Sequence, residues 1–276
     1  MKRVLTAMLL ALAFTTAGAK AHDYTLSSPD GKTTVKVGVD KQVTYSVTHR
    51  GKTVLGPSAI SMTVGGKDIG YNPAVKGART DKVKDKVTAP LWRQAVIEES
   101  YNQLEIMLED GWSIQFRAYD GEGVAYRFVS TSVKKGDAVT AELAQFNFDR
   151  DYTLYVPYTT GAKNPYSTSF ESQYTVAPIS EFREGTVAFT PLLVCLDDGL
   201  RLAITDSDND AYPGMFLAKG GRLGLKGEFA PVPGAVKETP TRGQVVVETY
   251  TDELAVIRKD ASKKEPRTFP WRVFAI

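Results

Sequence analysis

The sequence is poor in the residues that build disulfides, zinc sites and histidine-dependent catalytic centres. It contains a single cysteine, Cys195, and two histidines, His22 and His49. One cysteine cannot form a disulfide within the chain, and neither histidine lies in a recognised ligand spacing. A disulfide framework, a zinc site and a His-dependent triad are therefore disfavoured. Cys195 lies in the apolar run 192–196, which predicts a small core side chain rather than a nucleophile.

Long hydrophobic runs are also scarce. The apolar run 4–14 follows Lys2 and Arg3 and precedes the A-x-A pattern at 19–21, which is typical of a secretory signal peptide and its cleavage site. This run is too short to cross a bilayer, and no later run approaches the roughly 20 residues that a spanning helix needs. We therefore predict a signal peptide at 1–21, secretion to the periplasm, and no membrane span.

Neither sign of charge predominates. The chain has 34 basic and 32 acidic residues, and the predicted signal peptide carries three of the basic residues and none of the acidic ones. The predicted mature chain, residues 22–276, is thus close to neutral. No electrostatic pattern indicates binding to nucleic acid or to an anionic membrane surface.

What the sequence does contain is alternation of apolar and polar residues. It is clear in 33–39 and 43–47, and the Asp110-Gly111 pair between 104–108 and 112–117 is typical of a β-hairpin. Further strands are predicted at 124–129, 139–144, 191–196, 200–205, 212–217, 244–250 and 272–275. No segment after the signal peptide has a sustained helical period. The sequence therefore predicts an all-β fold, one large antiparallel β-sandwich.

The candidate site is the segment 166–175, which sets one carboxylate, Glu171, among hydroxyl and aromatic side chains. This combination suits a sugar or a hard cation. The segment follows the strand-like run 152–158, so we expect Glu171 on a loop at a sheet end. Two interpretations remain at this point, because most glutamates on loops are simply solvated.

Three other features have simpler interpretations. The acidic stretch 206–210 lacks the Gly and Glu of an EF-hand loop, since Ala211 and Leu217 occupy those positions, and it is predicted to be an acidic turn. The charge run 81–86 predicts a solvated loop or a sheet edge. Large aromatic residues can stack on sugars but in a sandwich usually belong to the core, and this applies to Trp92, Trp112 and Trp271.

The last residues, 270–276, read as an apolar strand that ends with the chain. Complete domains more often end in polar, frayed residues. We therefore expect a longer polypeptide, and an exposed hydrophobic patch around 271–276 would support that expectation.

Several short motifs, in their order and spacing, resemble the N-terminal domain of glycoside hydrolase family 97. The resemblance covers almost the whole mature chain, and its motifs are Leu26-Ser27-Ser28-Pro29-Asp30-Gly31, Ser100-Tyr101-Asn102-Gln103-Leu104, Arg117-Ala118-Tyr119-Asp120-Gly121, Tyr126-Arg127-Phe128, Ile204-Thr205, Tyr212-Pro213-Gly214-Met215 and Phe269-Pro270-Trp271-Arg272. The stretch 206–211 departs from the wording usual in the family, so no role is carried over to it.

The resemblance implies a β-super-sandwich similar to galactose mutarotase, followed in the family by a catalytic (β/α)₈ barrel and a small β-domain. The family cleaves α-glucosidic or α-galactosidic links, with a Ca²⁺ held by barrel glutamates and one glutamate of the sandwich. The resemblance places that metal ligand at Glu171. One carboxylate cannot supply the roughly six to eight oxygen ligands of Ca²⁺, so Glu171 would need the barrel. No barrel follows in these 276 residues, and we predict no catalytic residue in this chain.

The function expected from the resemblance is that of a supporting domain in a secreted α-glycosidase. It would wall one side of the site for an α-linked oligosaccharide, donate Glu171 to calcium and pack on the barrel, while being inactive alone. The alternative is a stand-alone, non-catalytic carbohydrate-binding or scaffold module. A self-contained groove lined by Trp and Tyr would favour the alternative.

Overall fold

The computed structural model describes residues 21–89, 91, 93–121, 123–160, 164–238 and 245–276. The predicted signal peptide, apart from Ala21, and Trp92 lie outside these residues. The first strands are β1 (His22–Ser27), β2 (Thr33–Val39), β3 (Val43–His49), β4 (Lys52–Val64), β5 (Lys67–Ile69), β6 (Val75–Thr88), β7 (Val96–Leu108), β8 (Trp112–Tyr119), β9 (Gly123–Ser130) and β10 (Ala138–Asn147).

The remaining strands are β11 (Thr153–Val156), β12 (Thr175–Pro178), β13 (Leu192–Cys195), β14 (Arg201–Ser207), β15 (Met215–Gly221), β16 (Gly224–Phe229), β17 (Val236–Glu238), β18 (Val245–Val247), β19 (Ala255–Val256), β20 (Arg267–Thr268) and β21 (Trp271–Ala275). Short 3₁₀ turns are present at Glu109–Gly111, Ile179–Glu181 and Asp197–Gly199.

The strands form two large antiparallel sheets. The first sheet has nine strands in the order β1-β2-β3-β4-β10-β16-β15, with β5 paired to β4 and β19 to β10. The second sheet has ten strands in the order β12-β11-β13-β14-β21-β9-β8-β7-β6, with β20 paired to β9. Strands β17 and β18 form a separate two-stranded ribbon.

The core lies between the two sheets. Alternate residues of β2 and β3 are buried, as the period of two requires. Tyr45 of the first sheet packs on Phe116, Tyr126 and Phe274 of the second, with ring centroids 5.4 to 6.1 Å apart. These contacts across the core confirm the predicted antiparallel sandwich.

The predicted turn at Asp110-Gly111 is present, and Asp198-Gly199, between the predicted strands 191–196 and 200–205, forms a second. Asp110 and Gly111 have φ angles of 59° and 77°, and Asp198 and Gly199 have φ angles of 54° and 77°. Aspartate and glycine tolerate this left-handed backbone better than most residues do. The pairs therefore connect β7 to β8 and β13 to β14 through tight turns.

The charge run 81–86 lies in β6, the outermost strand of the second sheet. This confirms the sheet-edge interpretation over the loop interpretation. Charged side chains, lysine above all, protect such an edge from pairing with other chains.

The segment 271–276 does not form the exposed hydrophobic patch that would have supported a longer polypeptide. Strand β21 lies in the interior of the second sheet, hydrogen-bonded to β14 on one side and β9 on the other. Trp271, Arg272 and Phe274 are buried. The apolar character of this segment is therefore explained by its central position.

The interpretation of Cys195 as a core residue also needs correction. Leu192 and Val194 are fully buried, while Cys195 is half-buried because it alternates to the other face of β13.

Trp112 is a core residue stacked on Phe269, at 5.6 Å between centroids. In the part of the chain that the structure describes, no helix has the length and hydropathy needed to cross a membrane.

Candidate functional site

The candidate site lies on the long loop 157–174, which connects β11 and β12. These strands pair antiparallel, with Val156 opposite Thr175, so the loop leaves and rejoins the second sheet at the same end. Strand β12 is the outermost strand on that side. The prediction that Glu171 lies on a loop at a sheet end is therefore confirmed.

Glu171 is solvent-exposed, and its Oε1 accepts a hydrogen bond of 3.0 Å from the Ser169 hydroxyl. No ion pair involves its carboxylate among the described residues. The carboxylate is thus open on one side for a further contact. This geometry is compatible with both interpretations, a solvated glutamate and a metal ligand.

Beside Glu171 begins a continuous row of six aromatic rings. Tyr174 contacts Phe170 at 5.0 Å between centroids, and Phe170 contacts Phe189 at 6.1 Å. The row continues from Phe189 to Phe216 at 5.4 Å, from Phe216 to Tyr166 at 5.4 Å and from Tyr166 to Tyr250 at 6.0 Å. We call these six residues the aromatic row.

The aromatic row lies along the seam between the two sheets. Ala188 forms isolated bridges both to Tyr158, on the loop after β11, and to Leu217 of β15 in the first sheet. Phe189 follows Ala188 directly and Phe216 precedes Leu217, so both rings are anchored at this seam. The seam therefore brings Phe189 and Phe216 together with Phe170 of the loop that carries Glu171.

Three members of this row, Tyr166, Phe170 and Tyr174, belong to the predicted site segment 166–175 because they are neighbours of Glu171 in the chain. Phe189, Phe216 and Tyr250 were not predicted. No local signal distinguishes these three from other aromatic residues, because their proximity to the loop arises only from the pairing of the sheets.

Tyr166 separates two hollows at the far end of the row. One, which we call the tyrosine groove, has a volume of about 840 Å³ and is lined by Tyr166, Tyr212, Tyr250 and prolines 213, 231 and 233. The other, the charged hollow, has a volume of about 770 Å³ and is lined by Glu184, Lys219, Arg222, Lys226 and Glu228. Both hollows are large enough for sugar residues.

The hydroxyl of Tyr166 is held as a donor. It lies 3.4 Å from Glu228 Oε1, and burial together with this carboxylate raises the pKa of Tyr166 to about 12. Tyr250 donates its hydroxyl hydrogen to Asn164 Oδ1 at 2.8 Å, which also receives the Tyr166 backbone N–H at 3.2 Å. These bonds tie both tyrosines to the start of the loop segment that carries Glu171.

The prediction of an acidic turn at 206–210 is only partly right, because Asp206 and Ser207 are the last residues of β14 and the chain leaves the strand at Asp208. Asp206 accepts the backbone N–H of Met215 at 2.7 Å and lies 3.4 Å from the Arg272 guanidinium. Asp208 has a left-handed backbone, with φ of 64°. The stretch therefore organises the chain before β15 and ties it to β21.

Within the described ranges, no three histidine, cysteine or acidic side chains come together in a group that could hold a metal ion. Glu171 could supply one oxygen ligand, and Ca²⁺ takes roughly six to eight. The aromatic row offers flat faces for sugar rings, and the neighbouring hydroxyls offer hydrogen bonds. The arrangement is suited to one side of a site whose other side comes from elsewhere.

Comparison with known families agrees with the fold. Residues 26–276 match the family described as glycosyl-hydrolase 97 N-terminal. The chain belongs to this family. It is thus the N-terminal β-sandwich domain of a glycoside hydrolase family.

One curated relative supports the assignment to this family, and solved structures support the fold. The chain is 34% identical over 285 aligned residues to a retaining alpha-galactosidase of Bacteroides thetaiotaomicron, covering 99% of this chain and 41% of that protein. A glycoside hydrolase family 97 enzyme from Pseudoalteromonas sp. strain K8, solved in complex with acarbose, superposes with a TM-score of 0.69 at 16% identity over 91% of this chain and 35% of its own.

A beta-arabinopyranosidase superposes with a TM-score of 0.71 at 22% identity, over 92% of this chain and 40% of its own. At these identities the two solved structures establish the fold alone. The chain spans about two fifths of the length of the Bacteroides protein.

Proposed function

We propose that this chain is the supporting domain of a secreted α-glycosidase. It walls one side of the site for an α-linked oligosaccharide and donates Glu171 to a Ca²⁺ that it shares with a catalytic (β/α)₈ barrel in the same polypeptide. The observation that carries the proposal is the open carboxylate of Glu171 beside the aromatic row, at the end of a sheet in a domain of this family.

The residues on this loop fit a shared calcium site. A carboxylate is a hard oxygen ligand of the kind that Ca²⁺ prefers, and the Glu171 carboxylate has a hydroxyl donor but no cation beside it in the described chain. When bound, a calcium ion would polarise a sugar oxygen or a leaving group. The ligands beyond Glu171 would come from the barrel.

The chain's own contribution is to bind and position. The end of the row next to Glu171 is formed by Phe170 and Tyr174. Half of the Tyr174 surface is exposed. Aromatic faces of this kind stack on sugar rings, while the Ser169 hydroxyl holds the Glu171 carboxylate in place. No acid or base role is assigned to these residues, because glycoside hydrolysis needs two carboxyl groups about 5 to 9.5 Å apart across one bond.

The first test is activity of the purified chain alone on p-nitrophenyl α-glucoside and p-nitrophenyl α-galactoside, with and without calcium. We expect no turnover in either condition. A second purification verifies that contaminating hydrolases have been removed. Turnover by the isolated chain after that step would contradict the supporting role.

The second test joins this chain to the remaining domains of the Bacteroides thetaiotaomicron alpha-galactosidase. In that fusion, Glu171→Gln should raise the calcium concentration for half-maximal activity at least tenfold. Glu181→Gln is the matched control, because Glu181 is an exposed glutamate in the 3₁₀ turn that directly follows β12. An equal calcium response in wild type and Glu171→Gln would contradict the metal assignment.

A second candidate function is binding of carbohydrate without a barrel. The tyrosine groove favours it, because three tyrosines line a hollow formed by this chain alone. Isothermal titration calorimetry of the isolated chain with maltotriose and with melibiose tests this function. Binding that is lost in Tyr250→Ala would support the stand-alone module, and heats equal to those of dilution would exclude it for these sugars.

A further inference from the structure

The hairpin of β6 and β7 extends past the end of the second sheet. Tyr101 is the outermost residue of β7 that pairs with β8, opposite Tyr119, and the Asp120 N–H donates to Ser100 O at 2.9 Å. Beyond this point, residues 85–88 and 96–99 pair only with each other among the described residues. We call these two segments the hairpin arm. Four residues at about 3.4 Å each project the arm roughly 14 Å beyond the sheet.

The hairpin arm exposes apolar side chains. Val87 and Val96 are 41% and 48% exposed, and Leu91, in the connection between the two segments, is 99% exposed. Ile97 lies directly opposite Val87 in the ladder. A two-stranded hairpin by itself is at best marginally stable in water, and clustered exposed apolar residues mark interaction sites. The arm therefore has the features of a docking element.

The same arm carries a pair of opposed acidic side chains. Asp85 lies directly opposite Glu99, two positions from Val87 and Ile97 and hence on their face of the ladder. Like charges in this arrangement destabilise a sheet. Within the described ranges neither carboxylate takes part in an ion pair. This face is therefore complementary to a basic side chain flanked by apolar ones.

The last residues of the chain lie at the same end of the sheet as the arm. Tyr101, Tyr119, Gly123 and Ala275 are successive partners across β7, β8, β9 and β21, and Ile276 follows Ala275. Strands β9, β8 and β7 separate β21 from β6, a distance of roughly 19 Å at about 4.8 Å per strand. A domain of about 300 residues has a radius of gyration of about 19 Å. A domain joined to Ile276 is thus large enough to reach the arm.

A second copy of this chain is a poorer occupant. The open edge of the arm belongs to β6, where Lys82, Lys84 and Lys86 alternate along one face. Two such edges paired antiparallel about Lys84 would set Lys82 of one copy opposite Lys86 of the other. This repulsion disfavours self-pairing.

We propose that the hairpin arm docks on the domain that follows this chain in the same polypeptide. Asp85 and Glu99 receive a lysine or arginine of that domain, and Val87 and Ile97 pack on apolar side chains beside it. The inference rests on the proposed function for the presence of that domain, and about three fifths of the Bacteroides protein lies outside the match. It does not involve the calcium site, because Glu171 lies on the connection between β11 and β12.

Hydrogen exchange followed by mass spectrometry tests the proposal. It compares the arm in the purified chain with the arm in the fusion to the remaining domains of the Bacteroides thetaiotaomicron alpha-galactosidase. We expect the amides of 85–88 and 96–99 to exchange at least tenfold more slowly in the fusion, because docking covers them. Equal exchange rates in the two proteins would overturn the inference.

A double variant tests the charged part of the contact. In the fusion, Asp85→Asn with Glu99→Gln should return at least half of the lost exchange rate to the arm. The isolated chain carrying the same changes should unfold at the same or a higher urea concentration, because the like-charge pair is gone. Glu98→Gln is the matched control, since Glu98 faces the opposite side of the arm and pairs with Lys86 at 3.0 Å. An equal effect of the control and the double variant would contradict the assigned face.

Two further outcomes are distinguishable. Slower exchange of the arm in the isolated chain as its concentration rises would identify a second copy as the occupant and overturn the inference. A fusion that is active with calcium but has a freely exchanging arm would overturn this inference and leave the proposed function standing. An inactive fusion with a protected arm would support the inference and contradict the proposed function.

Discussion

Arg272 on β21 reaches across the core to Glu142 on β10, with its Nε and Nη2 each 2.7 Å from a different carboxylate oxygen. The two residues are 130 positions apart in the chain, and their side chains are 1% and 2% exposed. Burial by itself would lower the pKa of Arg272, but the Glu142 carboxylate more than offsets this and raises it. The pair therefore joins the last strand to the opposite sheet as a bidentate ion pair.

Loss of this pair should be strongly destabilising. Glu142→Gln removes the closer of the two carboxylate charges that compensate the buried Arg272, the other being Asp206 at 3.4 Å. Breaking a buried pair in this way costs about 3 to 5 kcal/mol. Urea unfolding followed by tryptophan fluorescence measures the loss. The control Glu98→Gln breaks the exposed pair with Lys86, at 3.0 Å, and should change the free energy of unfolding by less than about 1 kcal/mol. Similar losses in both variants would contradict the prediction.

Two tyrosines near this pair should respond differently to loss of their hydroxyl groups. The hydroxyl of Tyr126 is buried without a hydrogen-bond partner in the described chain, whereas Tyr212 donates to Glu142 Oε2 at 2.7 Å. We expect Tyr126→Phe to keep or raise the free energy of unfolding, and Tyr212→Phe to lower it by about 1 to 2 kcal/mol. Thermal and urea unfolding of both variants measure this difference, and a larger loss in Tyr126→Phe would refute it.

Stability should fall on mild acidification because of His49. Burial, followed by the charge of Arg50, lowers the pKa of His49 from its usual 6.5, and its Nδ1 lies 2.8 Å from Thr33 Oγ1. The pKa of His49 is about 6.5 in the unfolded chain and lower in the folded one. At a pH between these two pKa values the unfolded chain binds more protons than the folded chain. The stability that is present above pH 6.5 is therefore lost as the pH falls through this range. Urea unfolding from pH 8 to pH 5 should show a shallower decline in His49→Gln than in wild type. Parallel declines would exclude His49 as the cause.

Glycine at 123 should be required by the close approach of β21. A Cβ at this position would lie 2.1 Å from the backbone oxygen of Phe274, and φ is +136°. Gly136 also has a positive φ, +93°, but open space around it. Gly136→Ala should cost about 1 to 2 kcal/mol from backbone strain alone. Gly123→Ala should cost at least about 2 kcal/mol more, since the paired strands must separate. Equal melting temperatures for the two variants would argue against this contact.

Much of the local structure could be predicted from the sequence. The run 33–39 is a strand with the predicted bounds, and the Asp-Gly pairs at 110–111 and 198–199 are turns. These features depend on alternation and on backbone preferences of a few consecutive residues. The loop position of Glu171 was predicted for the same reason, since it follows a strand-like run.

Other features were not predictable from local pattern. The segment 271–276 was predicted to be an apolar strand, but its place between β14 and β9 was not. Its pairing with strands that are distant in sequence is set by the whole sandwich. Phe189 and Phe216 join the aromatic row for the same reason.

The sequence by itself determined the β class, the Asp-Gly turns and, in clearly alternating runs such as 33–39, the side of the strand that faces the core. A period of two and a left-handed turn are properties of neighbouring residues. Only the tertiary structure decided that Arg272 is paired with Glu142, that Trp271 lies against two arginines, and that six aromatic rings form one row that begins beside Glu171. These relationships join residues far apart in the chain, and the register and stacking of two sheets bring them together.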